Sequence, residues 1–290
     1  MHAKLRIERA IEMALSRVTG ADCPRGLAAA MQYAVFPGGH RIRPRLCVAV
    51  AEAHEGADPA LVDAALSSLE FLHCASLVHD DMPCFDDAEL RRGKPSVHVA
   101  FGESLALMCG DALIVLAFQT IATSARIAPR RSGELLSIVS EAVGAPNGIV
   151  AGQSWECEST VPLEDYQRAK TGVLFRAATL AGAAAAGAED PSWGELGDVI
   201  GAAYQIADDL MDSVGDPDLI GKPVGQDDRL DRPSAVRAHG VKGATSLLRN
   251  RIEAAVESVP DCPGKHVLRK MIHQEASRLL NNALSARRAA

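Results

Sequence analysis

Apolar residues recur along most of the chain at intervals of three and four, and the alternation of β-branched with polar residues that marks a half-buried strand is scarce. That period predicts helices throughout. Residues 67–79 are almost all apolar or small and show no polar face, so they predict a helix enclosed by other helices. Proline and glycine close the periodic segments at Phe36-Pro37-Gly38-Gly39, Met82-Pro83, Gly93-Lys94-Pro95, Ala145-Pro146-Asn147-Gly148, Asp216-Pro217, Lys222-Pro223 and Cys262-Pro263-Gly264. No repeat of fixed period and no tether-like stretch interrupts this order, so residues 1–290 are expected to form one all-α domain.

A chain of 290 residues with 48% hydrophobic content buries enough surface to fold without disulfides or a structural metal. Its seven cysteines form no CxxC pair and no metal-ligand spacing, which predicts reduced, mostly buried thiols. The formal charge of -7 argues against nucleic acid as a partner, because phosphate backbones require a clustered basic surface. Asp111 interrupts the most apolar region, residues 104–118, so no membrane span is expected. The first residues mix Lys4, Arg6, Glu8, Arg9 and Glu12 with apolar positions and lack the apolar block of a signal peptide; a cytoplasmic protein is expected.

The strongest chemical signal is Asp80-Asp81-Met82-Pro83-Cys84-Phe85-Asp86-Asp87, four aspartates in eight positions at the end of the apolar segment. Like charges this close repel, and where a buried helix ends they call for a compensating cation. A second cluster, Asp208-Asp209-Leu210-Met211-Asp212, closes another apolar run and sets Asp208 and Asp212 one helical turn apart. Hard carboxylate oxygens on a fixed face suit Mg²⁺, and neither cluster has the spacing of a calcium-binding EF-hand loop. Basic residues follow nearby: Arg91-Arg92-Gly93-Lys94, Lys170-Thr171, Lys222, and the run Gly38-Gly39-His40-Arg41-Ile42-Arg43. Two metal-type clusters with phosphate-type cations outline a site for a diphosphate ester.

In these motifs the chain resembles the trans-isoprenyl diphosphate synthases, and most of all the bacterial geranylgeranyl diphosphate synthases of carotenoid and bacteriochlorophyll synthesis. The likeness runs from about residue 33 to 236 and includes Asp80 to Asp86 followed by Arg91-Arg92-Gly93, and Tyr204-Gln205-Ile206-Ala207-Asp208-Asp209 followed by Gly221-Lys222-Pro223. It implies an isoprenoid-synthase helical bundle around a central cavity, with the two aspartate motifs facing each other across the mouth. About three Mg²⁺ would be held by Asp80, Asp81 and Asp86 on one side and by Asp208 and Asp212, with Asp209 beside them, on the other. Arg91, Lys170 and Lys222 would bind the allylic diphosphate. Isopentenyl diphosphate would rest on Arg43, His73 and Arg92, with His40 where the family carries lysine. Thr171 and Gln205 match positions near the ionising carbon. A homodimer is the family habit.

The implied reaction joins isopentenyl diphosphate head-to-tail to an allylic diphosphate. Stabilising the departing diphosphate lowers the barrier, and a dry cavity keeps water from the carbocation. In the family a bulky aromatic five residues before the first aspartate limits the product to fifteen carbons; here Ala75 and Ser76 leave the wall low, with Leu72 and Phe71 as a deeper floor. A twenty-carbon product is expected. The alternatives are a farnesyl diphosphate synthase, a non-catalytic regulatory subunit, and, more remotely, a terpene cyclase or head-to-head synthase. The resemblance is broken at His40, at Asp231-Arg232-Pro233-Ser234 and at Glu156, where an aspartate is usual.

Overall fold

The computed structural model describes residues 2–158, 163–214 and 234–289. Helices α1 (His2–Ser16), α2 (Arg25–Val35), α3 (Ile42–Glu52) and α4 (Pro59–Asp80) lead to a two-stranded antiparallel hairpin, β1 (Leu90–Arg91) and β2 (Lys94–Pro95). After it come α5 (Val97–Phe101), α6 (Glu103–Ala122), α7 (Pro129–Val143), α8 (Ile149–Ser154) and α9 (Leu163–Gln167). A single π-helical turn, Arg168–Gly172, runs into α10 (Val173–Ala186) and α11 (Ser192–Val214); α12 (Ala235–Glu257) and α13 (Lys265–Ala289) follow. The architecture is all-α, as the three-to-four periodicity predicts. Gly93-Lys94-Pro95, expected only to end a helix, instead forms the turn and second strand of the hairpin.

Helix α4 is the axis of the bundle. Asp58 caps it, its carboxylate accepting the amides of Ala60 and Leu61 at 2.8 and 3.3 Å, and Pro59 starts it with a preset φ. Helices α1, α2, α3, α6, α7 and α10 pack around it. Leu66, Leu69 and Phe71 are wholly enclosed, each side chain contributing about 1.5–3 kcal/mol relative to exposure. The absence of a polar face in residues 67–79 therefore has its expected cause. The alanine-rich α10 lies against α3 so closely that a side chain at Gly182 would overlap the Cys47 carbonyl. A second, smaller apolar cluster joins Ile206 and Leu210 of α11 to Leu248 and Ile252 of α12 and Ala276 of α13.

Helix α4 and the segment Glu103–Arg126 are each long and apolar enough to cross a membrane by length and composition alone, a test that the core helix of a bundle also passes; 78% of the α4 window is buried inside the protein, against 44% for the other. Met108 is 48% exposed on α6. Of the seven free cysteines, Cys47, Cys74 and Cys109 are buried, Cys23 and Cys262 are half-buried, and Cys84 and Cys157 are exposed.

Candidate active site

The last turn of α4 delivers Asp80 and Asp81, and the chain then folds back on them. The amide of Asp86 donates to the Asp80 carbonyl at 3.0 Å and that of Ala88 to the Asp81 carbonyl at 3.1 Å, which returns the Asp86 side chain to the helix end. From the far side, α8 and the turn after it bring Gln153 and Glu156. Asp80, Asp86 and Glu156, all half-buried, offer carboxylate oxygens within 4.8 Å of one another. Three hard oxygen donors at that spacing fit Mg²⁺, which takes few protein carboxylates and keeps positions for water and phosphate.

Lys170 belongs to the same cluster. Its Nζ donates to Asp80 Oδ1 at 3.0 Å and makes a short ion pair with Glu156, while the Gln153 amide donates to Asp80 at 3.0 Å and the Tyr166 hydroxyl to Glu156 at 2.6 Å. Lys170 and Thr171 lie in the π turn, where one extra residue per turn redirects side chains. That turn approaches α8 so closely that a Cβ at Gly152 would stand 2.6 Å from the Lys170 amide nitrogen. Burial favours the neutral form of Asp80, but the Lys170 charge and the Gln153 and Lys170 hydrogen bonds outweigh it and hold its carboxyl below the ordinary value.

Asp81 behaves differently. Its carboxylate turns away from the cluster into a paired contact with Arg91, which carries a donor to each of its oxygens. Burial pushes the Asp81 carboxyl above its ordinary value even against Arg91. Of the expected ligands, Asp80 and Asp86 come together with Glu156 in a group that could hold a metal ion, while Asp81 is turned to Arg91. Successive residues on a helix point about 100° apart, which sends the Asp80 and Asp81 side chains in different directions. Arg91, expected on the diphosphate, is engaged by Asp81.

On α11, Asp208, Asp209 and Asp212 divide in the same way. Asp209 is 3% exposed; it accepts from Gln205 Nε2 and from the Ala235 amide, both at 2.7 Å, and so ties the N-terminus of α12 to α11. Burial pushes its carboxyl up. Asp209 and Gln205 are thus hydrogen-bonded to each other. Asp208, one residue earlier, acts electrostatically on Arg43, and Asp212 lies one turn further along. Lys222 falls outside the described residues.

The third group of expected residues gathers where the N-terminus of α3 meets α4. Arg43 is half-buried, its guanidinium 4.5 Å from the centre of the Phe175 ring, with a buried Nε that lacks a hydrogen-bond partner among the described residues. Desolvation lowers its pKa, and the nearby Arg92 adds to that. Gly39 lies against Arg92, where a Cβ would be 3.3 Å from Nε. His73 faces the same arginines: burial first, then Arg43 and Arg92, push its pKa well below 6.5, which favours the neutral imidazole. His40 is exposed on the loop before them. Arg41, expected among the phosphate cations, is instead buried in ion pairs with Glu8 and Glu70.

The residues expected to limit product length lie further down α4. Phe71, Leu72 and Ala75 are buried, and Ser76 is half-buried with its hydroxyl donating to the His73 carbonyl at 2.9 Å.

Comparison with known proteins places the chain. The family model described as polyprenyl synthetase matches residues 24–273. The chain belongs to the polyprenyl synthetase family. It is 50% identical over 282 residues to a geranylgeranyl diphosphate synthase of Cereibacter sphaeroides, covering 97% of this chain and 98% of that one. A geranylgeranyl diphosphate synthase of Rhodobacter capsulatus is 47% identical, covering 98% of each. Among solved structures, a geranyltransferase from Helicobacter pylori complexed with magnesium and isoprenyl diphosphate superposes with a TM-score of 0.80 at 26% identity, covering 98% of this chain and 96% of that one. The chain is accordingly an all-α prenyltransferase of this family.

Sequence reasoning missed Glu156, Gln153 and Tyr166 as members of the site. Glu156 stands out in the sequence only as a departure from the family pattern. Its separation from Asp80 along the chain hides the contact that Lys170 makes to both.

Proposed function

We propose that this prenyltransferase is a geranylgeranyl diphosphate synthase that adds isopentenyl diphosphate head-to-tail to an allylic diphosphate until the chain reaches twenty carbons. The observation that carries the reading is the separation of two anion-directed groups at the mouth of one bundle. Lys170 stands with the carboxylates of Asp80, Asp86 and Glu156; Arg43, Arg92 and His73 form a distinct cationic pocket. The first group suits the allylic diphosphate, and the second the diphosphate of the homoallylic partner. Near identity of length and 50% identity to a geranylgeranyl diphosphate synthase support the product class.

Asp80, Asp86 and Glu156, with Asp208 and Asp212 opposite, would hold Mg²⁺, with three ions on the family pattern. When bound, the metal supplies charge that stabilises the leaving diphosphate. Lys170 adds a donor to the same diphosphate, and Thr171 beside it orients the ionising end. Arg43 and Arg92 fix the homoallylic diphosphate and point its double bond at the allylic carbon. His73, neutral, contributes a hydrogen bond rather than a charge. The proton lost at the end has a fitting acceptor in the released diphosphate. Buried apolar walls on α4 exclude water from the cation.

At 100° per residue, Ser76 and Leu72 project within about 80° of the Asp80 direction, whereas Phe71 projects opposite. Leu72 rather than Phe71 is therefore the proposed floor, with Ser76 and Ala75 as the wall. On this reading the chain acts as one domain and as a homodimer. The exposed apolar residues Leu107, Met108 and Val115 of α6 support that assembly, since they give a second copy an apolar face to cover. The test is incubation with isopentenyl diphosphate and each of the five-, ten- and fifteen-carbon allylic diphosphates, followed by separation of products. A twenty-carbon end product supports the reading; accumulation at fifteen carbons makes the protein a farnesyl diphosphate synthase instead.

A further inference from the structure

Arg41 and Arg43 are two residues apart, yet their guanidiniums have opposite surroundings. Arg41 is fully engaged: NH1 donates to Glu70 at 2.5 Å, Nε and NH2 donate to the two oxygens of Glu8 at 3.0 and 3.1 Å, and NH2 also donates to the Val35 carbonyl at 2.9 Å. To reach this position the residue takes φ 51°, ψ 39° at the start of α3. Its guanidinium passes under Gly38, where any Cβ would overlap it. Arg43 is half-buried as a residue, but its Nε is shut away from solvent and has no partner among the described residues.

Glu70 is bonded to Arg41 and lies near enough to Arg43 to influence both charges. It projects from α4 one turn before His73 and Cys74, accepts a weak bond from the Cys74 thiol at 3.7 Å, and acts electrostatically on Arg43 as well as on Arg41. A buried carboxylate near a guanidinium whose Nε is buried and open tends to pair with it, because charge-assisted bonds strengthen where water is excluded. Here the short bond to Arg41 takes that carboxylate instead. Stability alone is a weak reason for the arrangement, since buried ion pairs are often replaceable by apolar groups without loss.

We propose that Arg41 is a positioning residue that sequesters the Glu70 carboxylate, so that Arg43 stays open to the diphosphate of the homoallylic substrate. This rests on the reading of Arg43 given above. Arg41 touches no substrate on this account; it acts through Glu70.

The test is steady-state kinetics on the full chain with Mg²⁺, reading KM for isopentenyl diphosphate and for the allylic substrate separately, with thermal unfolding alongside. Arg43→Met serves as the control for the site. Freed Glu70 would compete for a charged hydrogen bond, so Arg41→Met is expected to raise KM for isopentenyl diphosphate about tenfold or more while the allylic KM stays within about twofold. Glu70→Gln, which removes the competitor and leaves Arg41 paired with Glu8, is expected not to raise it. The double variant Arg41→Met/Glu70→Gln is expected to recover most of the loss. Glu70→Gln decides the matter even if Arg41→Met does not fold: a rise in KM for isopentenyl diphosphate in that variant, or an equal rise for both substrates in Arg41→Met, overturns the proposal. An unchanged KM for isopentenyl diphosphate in Arg43→Met would overturn the assignment of the site itself, and the proposal with it.

Discussion

Lys170 Nζ lies 3.0 Å from Asp80 Oδ1, joining two residues ninety positions apart in the chain. The lysine is fixed by a π turn and the aspartate by the last turn of the central helix, so neither side chain has to search for the other. A positive group held at that place is preorganised to meet a departing diphosphate. Lys170→Met is expected to lower kcat by about 10²-fold, the usual cost of one such donor, with little change in far-UV circular dichroism. Single-turnover kinetics separates this loss of chemistry from slower product release.

Arg91 and Asp81 make a structural prediction. The aspartate is buried and its partner covers both oxygens. Removing the arginine in Arg91→Met leaves a buried carboxylate unpaired and is expected to cost about 3 kcal/mol in a urea titration. Arg91→Met/Asp81→Asn removes both charges and should recover most of that stability.

His73 predicts a pH dependence. Its folded pKa lies well below the ordinary 6.5, so below that pH the unfolded chain binds a proton that the folded chain does not. Stability therefore falls as pH drops under about 6.5, by at most about 1.4 kcal/mol per pH unit from this one group. His73→Gln should flatten the slope between pH 7 and pH 5.5 in thermal unfolding, and an unchanged slope would contradict the lowered His73 pKa.

Product length is expected to follow the wall on α4. Ser76 projects toward the Asp80 side, so Ser76→Phe should shift the end product from twenty carbons to fifteen, more completely than Ala75→Phe. Chromatography of the dephosphorylated alcohols reads this directly.

Much of this was legible in the sequence because its signals are local. The unbroken apolar character of residues 67–79 follows from packing among surrounding helices, and Asp80-Asp81 at the end of α4 and Asp208-Asp209 within α11 are adjacent pairs that stand out in the sequence. Where the reading failed, the reason was direction. Adjacent aspartates on a helix face different ways, so Asp81 goes to Arg91 and Asp209 to Gln205 and Ala235, while Asp80 and Asp208 remain on the site side. Arg41 and Arg43 divide similarly, one to a buried ion pair and the other to the pocket. Glu156 stood out only as a departure from the family pattern, because nothing local marks a carboxylate that meets its partners only through the packing of α8 and the π turn on the end of α4.

The central claim is that opposed carboxylates of α4 and α11 hold divalent ions against a leaving diphosphate. It is tested most directly by following labelled isopentenyl diphosphate into elongated product with Mg²⁺, with EDTA, and in Asp80→Ala and Asp208→Ala. The account predicts a twenty-carbon diphosphate with Mg²⁺ and a loss of at least about 10²-fold in each of the other three conditions. Undiminished turnover in EDTA, or in the two variants combined, would contradict it.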